Sequence, residues 1–227
     1  MSLTVNEIFY SVQGESVHSG RPCVFVRLAG CNLRCSYCDT RYAYDKGIEM
    51  EIDRIIKQVD SFNCLLVEIT GGEPLFQLET PLLIYSLLEN GYEVIIETNG
   101  SLDISLIDKR CIKIVDMKCP SSTQSDKNDF QNLKRINSKD QIKFVIGDRK
   151  DYEYAKKIQK MIPASIPEHH ILFSPVSGEL VPSQLAHWIL EDKLDVRLHL
   201  QLHNIIWPNG EKKLGGLEAR KLGDKRL

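Results

Sequence analysis

Six short runs of this chain are almost wholly apolar, and the segments between them carry apolar residues at helical spacing. The runs are "CVFVRL" (Cys23–Leu28), "LLVEIT" (Leu65–Thr70), "EVIIET" (Glu93–Thr98), "IKIVDM" (Ile112–Met117), "IKFVIG" (Ile142–Gly147) and "HILFSP" (His170–Pro175). A later run, "VRLHLQ" (Val196–Gln201), predicts a seventh strand. Strands apolar on both sides must be covered on both faces, as in parallel sheets. Between them, "EMEIDRIIKQVDSF" (Glu49–Phe62) puts Ile52, Ile55, Ile56 and Val59 on one helical face. "TPLLIYSLLENG" (Thr80–Gly91) offers Thr80 as N-cap, Pro81 in the first turn and Gly91 as a stop. "DRKDYEYAKKIQKMIP" (Asp148–Pro163) and "PSQLAHWILEDK" (Pro182–Lys193) read the same way. Strand–helix alternation predicts an α/β fold with a parallel sheet of about six strands and right-handed crossovers. That is too few for a closed eight-unit barrel, so an open partial barrel and a doubly wound sheet both fit. The 227 residues suit one domain over residues 1–227, with residues 202–227 a tail of open role.

In parallel α/β folds the site lies at the carboxyl ends of the strands. Here those ends are polar. The first is followed by Gly30 and Cys31, and the second by Gly71, Gly72 and Glu73. The third ends in Glu97 and Thr98 and runs into Asn99 and Gly100. The fourth carries Asp116, Met117 and Lys118, and the sixth carries Ser174 and Pro175 and runs on to Ser177. Tips converging on one face would make one composite site.

Three of the seven cysteines fall in "AGCNLRCSYCDTRY" (Ala29–Tyr42), at Cys31, Cys35 and Cys38. The N-terminus "MSLTVNEIFY" lacks the basic segment and apolar stretch of a secretory signal, and no run of 18 apolar residues predicts a membrane span. The expected location is the cytoplasm, where thiols stay reduced. An odd cysteine count also speaks against a disulfide framework. Thiolates select zinc or iron–sulfur clusters. Zinc in a structural site wants four ligands, and Asp39 or Cys119 could supply the fourth. An iron–sulfur cluster on three cysteines would instead leave one iron open for another ligand. Spacing alone leaves both readings standing. The 29 basic and 31 acidic side chains give a net charge of −2, without the basic excess of a nucleic-acid binder.

Cys31-x3-Cys35-x2-Cys38, just after the first predicted strand and with Tyr37 before the third cysteine, resembles the cluster loop of the radical SAM (S-adenosylmethionine) superfamily. "TGGEP" (Thr70–Pro74) and "ETNG" (Glu97–Gly100) follow in that superfamily's order. Taken alone, each is an ordinary strand-to-turn ending. Together they resemble the segments that hold SAM. The resemblance implies a [4Fe–4S] cluster on Cys31, Cys35 and Cys38, whose open iron chelates the amino and carboxylate groups of SAM. It implies one-electron reduction of the sulfonium and release of a 5′-deoxyadenosyl radical, with the cofactors carrying the hard step. Cys119 is read as no ligand. Cys23, Cys64 and Cys111 are read as buried, inert thiols.

"EIFYSVQGES" (Glu7–Ser16) precedes the first run, and its plain reading is an edge strand and a turn at Gly14. Followed by "GRPCVFVRLAGCNLRCSYCDT", "TGGEP" and "ETNGS", it resembles the 7-carboxy-7-deazaguanine synthases over most of the chain. That resemblance implies conversion of 6-carboxy-5,6,7,8-tetrahydropterin to 7-carboxy-7-deazaguanine, with ring contraction and loss of ammonia, on the route to queuosine. The partners implied are a small pterin, a reductant such as a flavodoxin or ferredoxin, and a second copy in a homodimer. No nucleic acid or membrane is implied. Val12, Gln13, Gly14, Glu15, Arg27 and Thr70 match substrate positions, and Thr40 matches a Mg²⁺ ligand. A guanidinium at Arg27 suits a carboxylate, though a strand residue in an ion pair is the plain alternative. A hydroxyl alone holds Mg²⁺ poorly, so Thr40 would need substrate oxygens and waters, or else is a local turn hydroxyl. Tyr37, Gly72, Glu73, Glu97, Asn99, Asp116–Lys118 (with Met117 between) and Ser174, Pro175, Val176 and Ser177 match SAM contacts. The chain departs from the family by carrying Asp116 and Met117 where a polar residue and proline often precede the lysine. Late in the chain, His203 in "QLHNIIWPNG" is either a site residue or an ordinary core or surface histidine. Other radical SAM enzymes, such as a glycyl-radical activase, and a zinc-binding module are the alternatives.

Overall fold

The structure, a computed structural model, describes residues 1–207 and the strand 214–218. The chain runs β1 (Ser2–Val12), β2 (Pro22–Leu28), β3 (Ile48–Glu51), α1 (Ile52–Asp60), β4 (Leu66–Gly71), α2 (Thr80–Glu89) and β5 (Glu93–Thr98). It continues β6 (Ile112–Met117), β7 (Gln141–Ile146), α3 (Arg149–Gln159), β8 (Ile171–Pro175), α4 (Pro182–Glu191), β9 (Arg197–Leu198), α5 (Leu202–Ile206) and β10 (Leu214–Glu218). Among the described residues these strands form one sheet in the order β10-β1-β2-β4-β5-β6-β7-β8-β9, with β3 beside β1. From β2 to β9 every neighbouring pair is parallel, while β1 is antiparallel to β2, β3 and β10.

The parallel order never reverses, which decides between the two architectures the sequence allows. Successive crossovers of one hand then put every crossover helix on the same face, whereas a doubly wound sheet needs a reversal point. Leu83, Ile84 and Leu87 of α2, Tyr152, Ala155 and Ile158 of α3, and Leu185 and Ile189 of α4 accordingly join one core. That core includes Val26, Ile69, Ile96, Val115, Phe144 and Phe173 from the strands. The result is an open partial barrel of seven parallel strands, the last of two residues. On the inner face Phe9, Cys23, Phe25, Leu66, Ile95 and Ile114 form a separate apolar floor near the strands' amino ends. Above that floor the inner face turns charged.

Local details differ from the sequence reading. Ile48–Glu51 at the head of the expected first helix is strand β3, with Ser2 opposite Glu51 and Leu3 opposite Met50. Its alternation buries Met50 and exposes Glu49 and Glu51, a period of two. Thr80 opens α2 instead of capping it, and its hydroxyl donates to the Pro74 carbonyl. β1 is no edge strand, because β2 lies on one side and β3 and β10 on the other. In the C-terminal tail, β10 pairs with β1. Residues 208–213 and 219–227 of that tail lie outside the described residues.

Candidate functional site

The cysteine loop is held by backbone before any metal is considered. Gly72 N donates to Leu28 O at 3.1 Å, and Glu73 N donates to Gly30 O at 2.8 Å, so the β4 tip is laced to the start of the loop. A Cβ on Gly71 would lie 2.2 Å from Leu28 O, and one on Gly72 would lie 2.0 Å from Gly30 O. Only glycine permits this approach. Gly72→Ala is expected to push the two tips apart and destabilise the fold by about 1–3 kcal/mol, with loss of cluster loading. A thermal midpoint and iron content both equal to the parent's would show that the tip has room. On its far side the loop is pinned by Ser36, whose N donates to Ser122 O at 3.1 Å and whose hydroxyl donates to Ser121 O at 2.6 Å.

Cys31, Cys35 and Cys38 are free, half-exposed thiols on this loop and line one cavity of about 680 Å³. Among the described residues no three His, Cys, Asp or Glu side chains are gathered to grip a single metal ion. The donor set is therefore three soft, accessible ligands strung along a loop, which suits a cluster with an open iron. Two polar atoms at the same site, Tyr37 Oη and Asp116 Oδ1, are buried without a hydrogen-bond partner among the described residues. Burying polar atoms unpaired is costly, so both sit as though waiting for a polar ligand. Cys119 is fully buried in the helix-side core, away from the cavity. Cys23 and Cys111 are buried as expected, while Cys64 is only half-buried, just ahead of β4.

The cavity gathers most of the expected residues. It is lined by Val12, Gln13, Gly14, Glu15, Arg27, Tyr37, Thr40, Thr70, Gly72, Glu97, Asn99, Asp116, Lys118, Pro175, Val176 and Ser177. Three expected SAM contacts do not line it. Met117 alternates onto the helix-side core, fully buried, because its neighbour Asp116 takes the inner face. Ser174 is buried within β8. Glu73 is fully buried, and its carboxylate is spent inside the protein. Its Oε1 accepts from Thr98 Oγ1 at 2.7 Å and Leu75 N at 3.0 Å, and its Oε2 accepts from Asn99 N at 2.7 Å. Glu73, matched from the sequence to a SAM contact, instead ties the tips of β4 and β5 together. Asn99, so placed, donates through Nδ2 to Asn32 Oδ1 at 3.0 Å and lies 4.0 Å from Cys31 Sγ.

Below the tips, register assembles a charged layer. Arg27 pairs with Thr70 and with Glu7, and Asp116 pairs with Lys143. Arg27 Nε donates to Glu7 Oε1 at 2.8 Å, and Tyr42 Oη donates to the same oxygen at 3.0 Å. Burial opposes charge on Arg27, but Tyr42 and Glu7 outweigh it and raise its pKa. Lys143, 4% exposed, reaches Glu15 Oε2 at 2.7 Å, Glu97 Oε1, and Asp116 Oδ2 at 3.5 Å. Lys118 Nζ lies 2.9 Å from Asp116 Oδ2. Burial pushes the Glu15 carboxyl up, but Lys143, His199 and a 2.8 Å bond from Gln201 Nε2 hold it far below the usual range. Glu97, sharing the same ammonium, is raised because burial and the Glu15 charge prevail there. One lysine neutralises one carboxylate, and Glu15 has the extra amide.

Glu7, Glu68, Lys143 and Tyr42 also line the cavity without having been expected there, and Gln201 of the "QLHNIIWPNG" run lines it too. A signal for Glu68 and Lys143 existed, because each is a lone charge inside an otherwise apolar strand. His203 also lines the cavity. A Cβ on Gly14 would fall 2.1 Å from His203 Nδ1, so the ring that Gly14 admits to its backbone here is this imidazole. Leu202 N donates to Gly14 O at 2.9 Å, docking α5 on the same turn. Thr40 Oγ1 lies 3.7 Å from Cys38 Sγ at the cavity wall.

Residues 26–121 match the radical SAM superfamily. The chain is 42% identical over 219 residues to a 7-carboxy-7-deazaguanine synthase of Koribacter versatilis, covering 90% of this chain and 97% of that protein. It is 43% identical over 214 residues to one of Chlorobaculum tepidum, covering 90% and 94%. In fold it is similar to the crystal structure of QueE from Escherichia coli, with a TM-score of 0.75 and 24% identity over 89% of this chain and 95% of that one. Streptococcus suis SuiB bound to S-adenosylmethionine shares the fold at a TM-score of 0.56, with 14% identity over 82% of this chain and 51% of that one.

Proposed function

The chain belongs to the 7-carboxy-7-deazaguanine synthase family of radical SAM enzymes, and from that premise we propose how its residues serve the reaction. It converts 6-carboxy-5,6,7,8-tetrahydropterin to 7-carboxy-7-deazaguanine, a ring contraction that releases ammonia. The observation that carries this reading is that the "SVQGES" turn, the cysteine loop, "TGGEP" and "ETNG" all border one cavity. When bound, the [4Fe–4S] cluster and SAM supply the 5′-deoxyadenosyl radical that starts the chemistry.

The chain's own residues bind, orient and exclude water. Cys31, Cys35 and Cys38 hold the cluster. Tyr37, Gly72, Asn99, Asp116, Lys118 and Pro175–Ser177 receive SAM, with the unpaired Tyr37 Oη and Asp116 Oδ1 available to its polar groups. Arg27 binds the substrate carboxylate through its terminal nitrogens, since the ion pair with Glu7 uses Nε. Val12–Gly14, Glu15 and Thr70 line the pterin's side of the cavity. Thr40 contributes one ligand to Mg²⁺, with substrate oxygens and waters completing the shell. The electron comes from a small reductant protein such as a flavodoxin or ferredoxin, and the chain works as a homodimer. Among the described residues no helix is long and apolar enough to cross a membrane.

The test is an anaerobic assay of the iron- and sulfide-reconstituted protein with SAM, magnesium, a reductant and 6-carboxytetrahydropterin. The expected product by mass spectrometry is 7-carboxy-7-deazaguanine. Cleavage of SAM to 5′-deoxyadenosine without that product would keep the superfamily chemistry and sink the substrate.

A further inference from the structure

Three glutamates, Glu68 buried and Glu15 and Glu97 half-buried, meet at the deep end of the cavity, and two of them are already spent. Glu15 gives Oε2 to Lys143 and Oε1 to Gln201, and Glu97 gives Oε1 to Lys143. Glu68 is different. Among the described residues its side-chain hydrogen-bond partner is neutral, the Gln13 amide, whose Nε2 donates to Glu68 Oε2. The direction of that bond is fixed from the other side, because Gln13 Oε1 accepts from Glu15 N at 2.8 Å. An amide whose oxygen is taken must present its nitrogen, so Gln13 holds one oxygen of Glu68 and leaves Oε1 for a ligand.

Depth matters as much as charge. Glu68 is 3% exposed yet lines the cavity. It shares the inner face with Thr70, whose register partner is Arg27, and with Ile95 of the apolar floor. Two residues along a strand is about 6.6 Å, so Glu68 lies that much further from the cysteine loop than Thr70 does. A pterin whose 6-carboxylate rests at the Arg27 level must point the opposite end of its bicycle downward. That end is the 2-amino group and the neighbouring ring N–H, a pair of donors in one plane. A carboxylate is the acceptor that matches such a pair, and leaving the pair unpaired in a buried site is costly.

We propose that Glu68 is a specificity-determining residue that accepts hydrogen bonds from the 2-amino-pyrimidinone edge of the substrate, with Gln13 as its positioning residue. The inference rests on the pterin reading above and names which group reads which end of the ring. The electrostatics of Glu68 agree with it. Burial and the charges of Glu97 and Glu15 push the Glu68 carboxyl up to about 8, while Gln13 and Lys143 pull the other way. Lys143 does not offset the burial and the two neighbouring carboxylates, and a ligand bringing two N–H donors adds the stabilisation that the Glu68 carboxylate is short of.

The test compares two unreactive ligands on the reconstituted holoenzyme, 6-carboxypterin and its 2-oxo counterpart 6-carboxylumazine, by fluorescence titration. The parent protein is expected to prefer the pterin, and Glu68→Gln to bind it about 10- to 100-fold more weakly. The same variant is expected to lose the preference for pterin over lumazine while SAM binding stays unchanged. Gln13→Met, which frees the Glu68 carboxyl without removing it, is expected to weaken pterin binding by a smaller factor and to keep the preference. Retained preference in a Glu68→Gln variant that binds SAM normally would overturn the assignment. Failure of the parent to bind either ring would overturn the pterin reading itself, and this assignment with it.

Discussion

Cys35→Ala is expected to leave a folded protein that forms neither 5′-deoxyadenosine nor 7-carboxy-7-deazaguanine. The Cys35 thiol is half-exposed and belongs to no core cluster, so its loss removes little packing. The loop keeps its shape by other means. Ser36 remains tied to Ser121 and Ser122, Cys38 N still donates to Cys35 O at 3.3 Å, and Arg34 Nη1 still donates to Cys31 O at 2.8 Å. Substitutions at such sites cost about 0.5 kcal/mol or less. The chemical loss is total by comparison, because two thiolates are one short of the set that leaves a single iron open. The measurement is iron and sulfide content with a thermal midpoint, alongside both products. A variant that keeps its cluster and cleaves SAM would remove Cys35 from the ligand set. Cys119→Ala is the matching control, since that sulfur lies buried on the helix side.

Lys143→Met is expected to cost about 3–5 kcal/mol at pH 7, the range for removing one partner of a buried ion pair. In a chain of this size that lowers the thermal midpoint by about 6–20 °C. Lys143 Nζ is the shared partner of Glu15, Glu97 and Asp116, and without it burial is the leading influence on the first two. The pH dependence of the Glu15 contribution should reverse sign. In the parent, Glu15 is depressed below its ordinary 4.5, so its stabilisation is present above pH 4.5 and fades as pH falls further. In the variant the same carboxyl, raised by burial, is easiest to accommodate when protonated, and stability should rise as pH drops from 7 towards 5. Pairing Lys143→Met with Glu15→Gln should recover part of the loss. A midpoint unchanged at pH 7 would mean that water, not Lys143, compensates this layer.

The sequence determined by itself what depends on local period and spacing. Apolar runs against helical patterns predicted the parallel strands and α1 to α4, because a period of two or 3.6 is written in neighbouring residues. The cysteine loop was legible because its three thiols fall within eight positions, and the glycines of "TGGEP" because a close turn needs them nearby. Winding was not legible. Only the strand order, which never reverses, put α1 to α4 on one face and left the other for the site. The role of Glu73 was not legible either, since its partners Thr98 and Asn99 lie 25 and 26 residues away. Nor was the charged layer, where Lys143 meets Glu97 across 46 residues and Glu15 across 128. A lone charge in an apolar strand says that a buried partner must exist. Which partner it is depends on register between distant strands, and register is settled by the packing of the whole sheet.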